Sequence, residues 1–503
     1  MKSLFKTLII FSLIAGFVSC SDFLEENPQG MLTTKGFYKT EADAIAAVDG
    51  IYYEIAHGWR MYGRDMNVLC ALPTDVEKDG LGMPNQHLQN LEYNVYTSNN
   101  MWIENIWRNH YQLVSAANAA INNIPKVPEG KLTEDMRNRL LGEAHFLRGL
   151  GYFNLVRFFG DVPIILKVET VEDAEKPRDP ADKVYELVLS DLEFAQNNLP
   201  VSYDLNNFGR ATKGAAKILE GKVHLTRHNY QECVDKLAEV VENEAEYGYG
   251  LHEDFSDNWA PGDERGKEAV FSIDYGKPPL PDNGSMMALQ GPKYSMPKYD
   301  EFGIHGNEAD IPTEELYNDY EESDERREVT LRKWFRGKNG EKYETTIPLF
   351  AKYWEDGLTN SGHGSCNFHV LRYADAVLMY AEALNEVGNS TEAENQLNRI
   401  LERAFNNTDH NVSGLSREEF RDKVIFERKL ELAMEANRWF DLVRTDKLVE
   451  RMKDHGRIEG EYAEGYHADK SEITNNVAEH YKLFPIPQEE IDKNPLLEQN
   501  PGW

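Results

Sequence analysis

Cysteine is scarce in this 503-residue chain, which holds four in widely separated places. Cys70, Cys233 and Cys366 show no C-x-x-C spacing, and without Cys20 their number is odd. Exported domains that rely on disulfides are instead dense in paired cysteines. A disulfide framework is therefore excluded, and the three cysteines are predicted to be buried apolar residues.

Positive charge is also in short supply. The chain has 54 Lys and Arg against 86 Asp and Glu, which gives a formal net charge of −32. A chain this acidic repels phosphate backbones, and no basic stripe offsets the repulsion, so nucleic acid is a poor candidate partner. With 41% apolar and 28% charged residues, the composition still supports a large folded core rather than disorder.

Familiar catalytic motifs are missing. The chain contains no phosphate-binding loop, dinucleotide fingerprint, H-E-x-x-H zinc motif or G-x-S-x-G nucleophile elbow; the sequence GSCN at 364–367 lacks the second glycine of an elbow. Paired carboxylates could indicate a glycosidase, but such pairs arise by chance among 86 acids. The sequence therefore predicts neither an enzyme nor a cofactor.

Metal ligands are sparse as well. His363, Cys366 and His369 have ligand-type side chains at three-residue spacing. A zinc site needs a fourth ligand and a helix or knuckle to present it, and neither is visible in the sequence. We therefore predict that this segment turns into the next helix and holds no metal.

Long apolar runs are absent except at the N-terminus, where Lys2 and Lys6 precede the run 8–18. This pattern is typical of a secretory signal and is too short for a membrane span. Ser19 followed directly by Cys20 resembles a bacterial lipoprotein processing site. Residues 1–19 are therefore predicted to be a lipoprotein signal peptide, Cys20 the lipidated first mature residue, and 20–36 a polar tether. A plain signal peptide with an incidental cysteine is the alternative.

Helical periodicity dominates the rest of the chain. The stretch 137–159 is apolar around most of a helix, which predicts a helix buried at the centre of the protein. Residues 212–241 and 372–404 each predict two helices around a short turn, and units of roughly 33 residues resemble tetratricopeptide hairpins. Capping boxes, Thr391 with Glu394 and Ser416 with Glu419, predict two further helix starts.

Two stretches, 57–100 and 250–369, show no sustained helical period and are predicted to form loops with short strands. The fold is therefore predicted to be mostly α, with tetratricopeptide-like helical hairpins forming a scaffold on which an irregular, loop-rich part packs. The predicted organisation is a helical region at 37–250, an irregular ligand-side segment at 251–369, and a helical region with an extended tail at 370–503.

Four blocks of sequence together resemble one protein family. They are CSDFLEENPQG at 20–30, RLLGEAHFLRGLGYFNLVRFFGDVPII at 139–165, LRYADAVLMYAEALNEVG at 371–388 with ERKLELAMEANRWFDLVRT at 427–445, and LFPIPQEEIDKNPLLEQNPGW at 483–503. In this order they extend from Cys20 to Trp503. They resemble the SusD/RagB family, surface glycan-binding lipoproteins of the Bacteroidetes outer membrane.

The resemblance implies a mostly helical fold with four hairpins like tetratricopeptide repeats. It also implies a location, lipid-anchored to the outer membrane and facing the cell exterior. The implied partner is a SusC-like TonB-dependent transporter, on which the protein would sit as a hinged lid that delivers a bound nutrient to the pore.

Aromatic residues in the irregular stretches are the candidates for ligand binding. Sugar rings stack their C–H faces on Trp and Tyr, while their hydroxyls need polar groups nearby. In the family that the chain resembles, binding residues cluster before the third helix and in the long central segment. The candidates there are Trp59, Tyr62, Asp75, Tyr93, Tyr96, Trp102, Trp259, Tyr275, Tyr294, Tyr299, Trp334 and Trp354. The alternative for each ring is packing in the core.

Other prominent side chains are predicted to be structural. Three aromatic residues lie in patterned helical blocks and are assigned to the core: Trp107, Tyr111 and Trp439. Arg148, Arg428 and Arg438 lie in largely apolar helical settings, which favours buried ion pairs over an active-site role.

The sequence thus predicts a non-catalytic, surface-exposed nutrient-binding lipoprotein that takes an oligosaccharide or polysaccharide to a transporter. Three alternatives remain open. The chain could be a peptide-binding lid of such a transporter, a helical-repeat scaffold for protein partners, or a secreted hydrolase.

Overall fold

The computed structural model describes residues 37–503 apart from 81–84, 169, 171–172, 174, 261–264, 276–285, 304–305, 357–363 and 462–470. The predicted signal peptide 1–19, the lipidation site Cys20 and the tether 20–36 lie outside the described residues.

Helices make up most of the N-terminal part. They are α1 (Glu41–Ala56), α2 (Asp65–Ala71), α3 (Gln86–Glu92), α4 (Met101–Asn123), α5 (Glu134–Phe159), α6 (Ala181–Asn198), α7 (Lys213–Thr226), α8 (Tyr230–Val241) and α9 (Glu244–Tyr247). Helix α5 packs against both α4 and α6, and α7 pairs with α8. The hairpin predicted at 212–241 is confirmed.

The C-terminal part carries the second stack of helices. Short helices α10 (Met286–Gln290), α11 (Tyr299–Phe302), α12 (Glu314–Asp319) and α13 (Arg326–Thr330) interrupt the irregular segment. They are followed by α14 (Tyr373–Glu386), α15 (Ser390–Phe405), α16 (Arg417–Glu431), α17 (Arg438–Arg444), α18 (Leu448–Glu461), α19 (Ser471–Asn476) and α20 (Gln488–Lys493). Helix α14 pairs with α15 and contacts α8, so the hairpin predicted at 372–404 is confirmed and lies against the first one.

One of the two predicted capping boxes forms. The Ser416 hydroxyl accepts from the backbone N–H of Glu419, and the Glu419 carboxylate accepts from that of Ser416. The box predicted at Thr391 is wrong, because α15 already begins at Ser390. Gly388, at a φ of +89°, turns the chain there in a backbone conformation that glycine adopts freely.

The strands form three two-stranded antiparallel ribbons within the described residues. They are β1 (Glu77–Asp79) with β3 (Asp310–Pro312), β2 (Ala269–Ile273) with β6 (Phe368–Arg372), and β4 (Leu331–Arg336) with β5 (Lys342–Phe350). The prediction of irregular structure with short strands holds for 250–369. It is only partly right for 57–100, because α2 and α3 have seven residues each, too few for a helical period to show.

Helix α5 lies at the centre of the main core, as predicted. Eighteen of its residues are buried, and the helix approaches α4 closely at Gly151, where a Cβ would lie 3.2–3.3 Å from Val114 and Leu113. Arg148 donates to both oxygens of Asp191 and to Asn118. This buried ion pair is the structural role predicted for it.

A second, smaller core supports the β4–β5 hairpin and is separate from the main one. It consists of Met296, Phe302, Ile311, Phe335, Tyr343, Leu349, Ala351 and Trp354. Because this cluster anchors both strands and the segment 295–303, it fixes the irregular part independently of the helical stack.

Buried ion pairs join the irregular segment to the helices. Arg372, at the end of β6, donates to the carboxylates of Glu268, Glu431 and Glu435. We call the full set the arginine seam: the cations Arg326, Lys352, Arg372 and Arg403 with the carboxylates Glu268, Asp324, Glu427, Glu431 and Glu435. No helix in the described ranges is both long and apolar enough to cross a membrane.

Candidate ligand-binding surface

The most exposed predicted ring of the N-terminal part is Trp59, which is 42% exposed just beyond the C-terminal end of α1. Its backbone N–H donates to Nδ1 of His57 at 3.4 Å. The ring of His57 in turn lies edge-on to Tyr53, a further exposed ring on the last turns of α1. Together Tyr53, His57 and Trp59 form an exposed aromatic group, which we call the α1-end patch.

A second exposed group lies on the irregular segment. Tyr294 is 60% exposed, and the ammonium of Lys293 lies 5.0 Å from the centre of its ring. Trp334 of β4 is half-buried and donates its indole N–H to Glu328. We call Tyr294 and Trp334 the hairpin patch.

Local structure holds the hairpin patch rigidly. The carboxylate of Glu308 accepts from the backbone N–H groups of Lys293, Tyr294 and Ser295, which fixes the path of the chain around the Tyr294 ring. The carbonyl of Ser295 then accepts from the N–H of Thr346 on β5. Tyr294 is thus tied to the same hairpin that carries Trp334, because Trp334 pairs with a β5 residue two positions before Thr346.

Cations surround the indole of Trp334. Arg332 and Lys342 place their charged groups 4.6 and 4.8 Å from the ring centre, and Arg336 lies 5.8 Å away. Contacts of this kind stabilise a ring by about 0.5–1 kcal/mol at exposed sites. They also fix the ring's orientation while leaving part of it accessible.

Buried rings lie close in sequence to each patch, in two separate cores. In the main core, Tyr62, three residues beyond Trp59, contacts Phe368 at 5.6 Å between ring centres, and Phe368 stacks on Tyr353 at 5.8 Å. In the smaller core, Trp354 meets Phe335 edge-on at 5.0 Å, and Phe335 is the neighbour of Trp334. Each patch therefore follows or precedes a well-packed ring in the chain.

Six of the predicted binding rings are buried, so their assignment to the ligand surface is wrong in this conformation. They are Tyr62, Tyr96, Trp102, Trp259, Tyr275 and Trp354. The physical reason is packing against other rings and cations. Trp259, for example, is enclosed by Lys352 and His369, and Tyr96 stacks on Trp503 at 5.1 Å. A ring that is buried in this way stabilises the fold more than a ring left exposed for a ligand.

Asp75 is also wrongly assigned. Its side chain is fully buried, and its two oxygens accept from Arg438 at 2.7 Å and from Arg451 at 2.8 Å. Burial alone would raise the pKa of Asp75, yet the charges of Arg438, Lys429 and Arg451 hold that pKa well below its usual range. The residue is a structural carboxylate. Arg428 is likewise held by Asp441 and Asp375, so the structural roles predicted for Arg428 and Arg438 are confirmed.

The two remaining binding candidates are Tyr93 and Tyr299. Tyr93 is half-buried against the main core, and its carbonyl accepts from Asn476. Tyr299 begins α11, and its side chain lies outside the described part. Of the residues predicted to be core, Trp107 and Trp439 are buried, whereas Tyr111 is half-buried against the core and donates to the carbonyl of Pro163.

Sequence reasoning missed Tyr53 and His57. Both lie at the end of α1, a predicted helix, whereas the candidate rings were the Trp and Tyr residues of the irregular stretches. The position of Tyr53 around the helix could have identified it. Tyr53 directly follows Tyr52 in the chain, so its side chain points about 100° away from that of Tyr52 around the helix axis.

The cysteines and histidines fill structural positions. Cys70, Cys233 and Cys366 are buried and form no disulfide with one another, as predicted. His369 contacts the Ser272 hydroxyl at 2.7 Å and the carbonyl of Asn258 at 3.1 Å, and burial lowers its pKa to about 4. His363 lies outside the described residues. Among the described ones, no three His, Cys, Asp or Glu side chains are grouped to hold a metal.

The geometry defines a class of protein, a stack of helical hairpins that presents exposed aromatic rings on an irregular segment. Comparison with known families agrees. Residues 247–503 match the model described as the SusD family, and residues 22–225 match one described as "Starch-binding associating with outer membrane". The SusD-like protein P2 of Formosa agariphila is 32% identical over 534 aligned residues, which cover both chains completely. The chain therefore belongs to the SusD family.

Solved structures share the fold. A SusD homologue from Bacteroides thetaiotaomicron superposes with a TM-score of 0.80 at 23% identity, covering 93% of this chain and 98% of the other. A structure described as a laminarin-binding SusD-like protein gives 0.75 at 25% identity, covering 93% and 100%. Surface glycan-binding protein A from B. thetaiotaomicron, solved with laminarihexaose, gives 0.74 at 22% identity, covering 92% and 99%. The predicted mostly helical fold is confirmed.

Proposed function

We propose that this chain is a non-catalytic binding protein for an oligosaccharide or polysaccharide, which it takes up through the α1-end and hairpin patches. The observation that carries the proposal is the exposure of Trp59, Tyr294 and part of Trp334 on a SusD-family scaffold in which most other predicted rings are buried. Exposed, rigidly held rings with polar neighbours suit the C–H faces and hydroxyls of sugars. Relatives described as binding laminarin or laminarihexaose support the same ligand class.

The same proposal extends to location and partner. It places the protein on the outer face of the outer membrane, lipid-anchored through Cys20, where it delivers its ligand to a SusC-like TonB-dependent transporter. The sequence start and the family description "associating with outer membrane" support the location. Membership of the SusD family supports the choice of transporter as partner.

Affinity electrophoresis and calorimetry against a panel of soluble polysaccharides test the ligand class. Trp59→Ala and Tyr294→Ala should each weaken binding of the glycan that the native protein retains, by roughly 5- to 150-fold if one ring contributes about 1–3 kcal/mol. Val387→Ala removes an exposed aliphatic side chain at the end of α14 and serves as the matched control, with no expected change. Binding of peptides but no glycan would contradict the proposal and favour a peptide-binding lid.

Membrane attachment is tested separately. Cys20→Ala should move the protein from the membrane fraction to the soluble fraction, because acyl chains on Cys20 supply the anchoring energy. The control is Cys70→Ala, which changes a buried cysteine remote from the processing site. Membrane retention of the Cys20 variant would contradict the lipid anchor. Co-purification of a large barrel with the native protein, and its absence from a preparation of free protein, tests the transporter partnership.

A further inference from the structure

A groove of about 790 Å³ lies beside α4, away from the aromatic patches. Its walls are α4, the extended segment 163–168 and the region of α20 up to Leu497. This volume falls within the range of small-molecule sites in proteins. None of the patch residues lines the groove: Tyr53, His57, Trp59, Tyr294 and Trp334 are all absent from its walls. The groove is thus a separate place on the molecule.

The middle of the helix wall carries no formal charge, although charged side chains line the rest of the groove: Arg108, Lys126, Lys167 and Glu490. Residues 109–125 contain no Asp, Glu, Lys or Arg, although 28% of the whole chain is charged, so about five charges would be expected in 17 residues. Gln112, Ser115 and Ala119 on this stretch are nevertheless exposed. Exposed protein surface is ordinarily 25–35% charged. A charge-free exposed stripe in a chain of net charge −32 indicates a surface adapted to a neutral occupant.

Hydrogen bonds fix the position of the extended segment 163–168, which forms one wall of the groove. The side chains of Tyr111, Asn118 and Asn122 donate to the carbonyls of Pro163, Ile165 and Leu166 at 2.9, 2.6 and 2.9 Å. The extended segment is therefore held against α4 by a ladder of side chains. A wall held this way needs no rearrangement when a ligand enters.

Several uncharged polar groups remain available in the groove. Within the described part of the chain, no hydrogen bond engages the Gln112 carboxamide, the Ser115 hydroxyl or the side-chain oxygen of Asn122. Carboxamides and hydroxyls can both donate to and accept from alcohol groups. Val168, which is 56% exposed, and Pro163 add apolar surface to the opposite wall.

The charged side chains that line the groove already have partners in the protein, including Glu490, which pairs with Lys493 at 3.0 Å. Arg108 pairs with Glu104 at 3.0 Å, and Lys126 donates to the side-chain oxygen of Asn123 at 2.9 Å. An anionic ligand would therefore have to compete with existing partners, whereas a neutral chain of hydroxyl groups would not. We propose that this groove is a second carbohydrate site, which binds a neutral oligosaccharide independently of the aromatic patches. The inference rests on the proposed function, because it assumes that the protein meets glycans.

Filling the groove tests the inference. Ala119→Arg places a long side chain into it from an exposed helical position, where Arg has good helix propensity. Ala46→Arg makes the same change on the exposed face of α1 and is the matched control. Calorimetry uses the full mature chain with laminarihexaose, maltohexaose, cellohexaose and mannohexaose as neutral probes, and oligogalacturonate as a charged one.

Two binding events are expected for at least one neutral hexasaccharide. Ala119→Arg should remove the binding event at the groove, Trp59→Ala should weaken the event at the aromatic patches, and Ala46→Arg should leave both unchanged. Gln112→Ala should weaken binding at the groove by about 3- to 10-fold, because it removes one uncharged hydrogen bond. Near-native circular dichroism and melting temperature of each variant show that it is folded.

Three outcomes would overturn the inference, and they differ in what they say about the proposed function. Neutral binding that Trp59→Ala abolishes and Ala119→Arg leaves intact removes the second site but keeps the proposed function. Failure of every glycan to bind removes both. Loss of a co-purifying membrane protein in Ala119→Arg, with sugar binding unchanged, would show that the groove is a protein interface instead.

Discussion

Two buried groups of charged residues differ in how their charges are compensated. In the arginine seam, every carboxylate contacts at least one cation, and Arg372 alone reaches three of them. On the β1–β3 ribbon, Glu77 and Asp310 are buried just as deeply. There Glu77 is bonded only to the amide of Asn67, and the Asp310 carboxylate has no hydrogen-bond partner among the described residues.

The pKa values of the two groups move in opposite directions as a result. Burial favours the neutral carboxyl in both, but in the seam the charges of Arg403, Arg372 and Arg326 outweigh it and lower the pKa of Glu431. On the ribbon burial prevails. It raises the pKa of Asp310 to about 7, against a partly offsetting charge on Arg64, and raises that of Glu77 well above its usual range, with the charge of Asp310 adding to the effect.

The sign of the stability change follows from these directions. A carboxyl whose pKa is lowered on folding stabilises the native state above its unfolded pKa near 4.5, and that contribution is lost as the pH falls below it. A carboxyl whose pKa is raised does the reverse. The contribution of Asp310 is fully present below about pH 4 and is lost as the pH rises to about 7. The seam therefore weakens in acid and the ribbon weakens towards neutral pH.

The largest expected effect comes from breaking the seam. Arg372→Met keeps the volume of the side chain but leaves Glu268, Glu431 and Glu435 short of a partner. Removing one member of a buried ion pair typically costs about 3–5 kcal/mol. Urea unfolding at pH 7 should show this loss, or the variant should fail to accumulate as folded protein.

The seam experiment has an informative second variant. Arg372→Met combined with Glu435→Gln removes one of the stranded charges, so the double variant should recover part of the stability lost in the single one. If Arg372→Met unfolds at the same urea concentration as the native protein, the seam does not hold the irregular segment to the helices as the contacts indicate.

A substitution on the β1–β3 ribbon should instead stabilise the protein, by a smaller amount than the loss expected in the seam. Asp310→Asn removes the charge that is buried beside Glu77, and should stabilise the protein at pH 8 by about 2–3 kcal/mol. The full pKa shift of about three units corresponds to roughly 4 kcal/mol. Part of this is offset because the new amide also needs hydrogen-bond partners.

Melting temperatures measured from pH 4 to 8 check the sign. The advantage of Asp310→Asn should shrink to a small remainder near pH 4, where Asp310 is protonated in the folded chain and close to half-protonated in the unfolded one. Glu253→Gln, which neutralises an exposed carboxylate, is the control for a general charge effect and should shift little across the range. An advantage that persists undiminished at pH 4 would show that the change acts through something other than ionisation.

Much of the fold could be predicted from the sequence because its signals are local. The central helix, the two hairpins and the Ser416 cap depend on residues three or four positions apart, where periodicity and capping act. Helices α2 and α3 were missed since a seven-residue helix shows barely two turns of pattern. The Thr391 cap was misplaced because Gly388 and Asn389 compete for the same helix start.

The binding surface was harder to predict because exposure of a ring depends on distant partners. Trp59 and Trp102 lie near the two ends of the irregular stretch 57–100, yet Trp102 is buried and covered by Arg64, whereas Trp59 is exposed. Asp75 could not be assigned from the sequence for the same reason, because its partners Arg438 and Arg451 are more than 360 residues away in the chain. Sequence proximity identifies which loops hold aromatic residues, but only tertiary packing decides which of those rings a ligand can reach.

The smallest loss of stability is expected for an exposed ion pair, which tests whether burial sets the strength of the arginine seam. Arg421 makes the same type of contact as the seam, donating to both oxygens of Glu386 at 2.8 and 2.7 Å, but its side chain is 38% exposed. Water can replace the lost partner there, so Arg421→Met should cost less than about 1 kcal/mol in urea unfolding. A loss as large as that of Arg372→Met would show that bidentate geometry, rather than burial, sets the strength of these pairs. A small loss would establish that the seam is strong because no solvent reaches its carboxylates once Arg372 is removed.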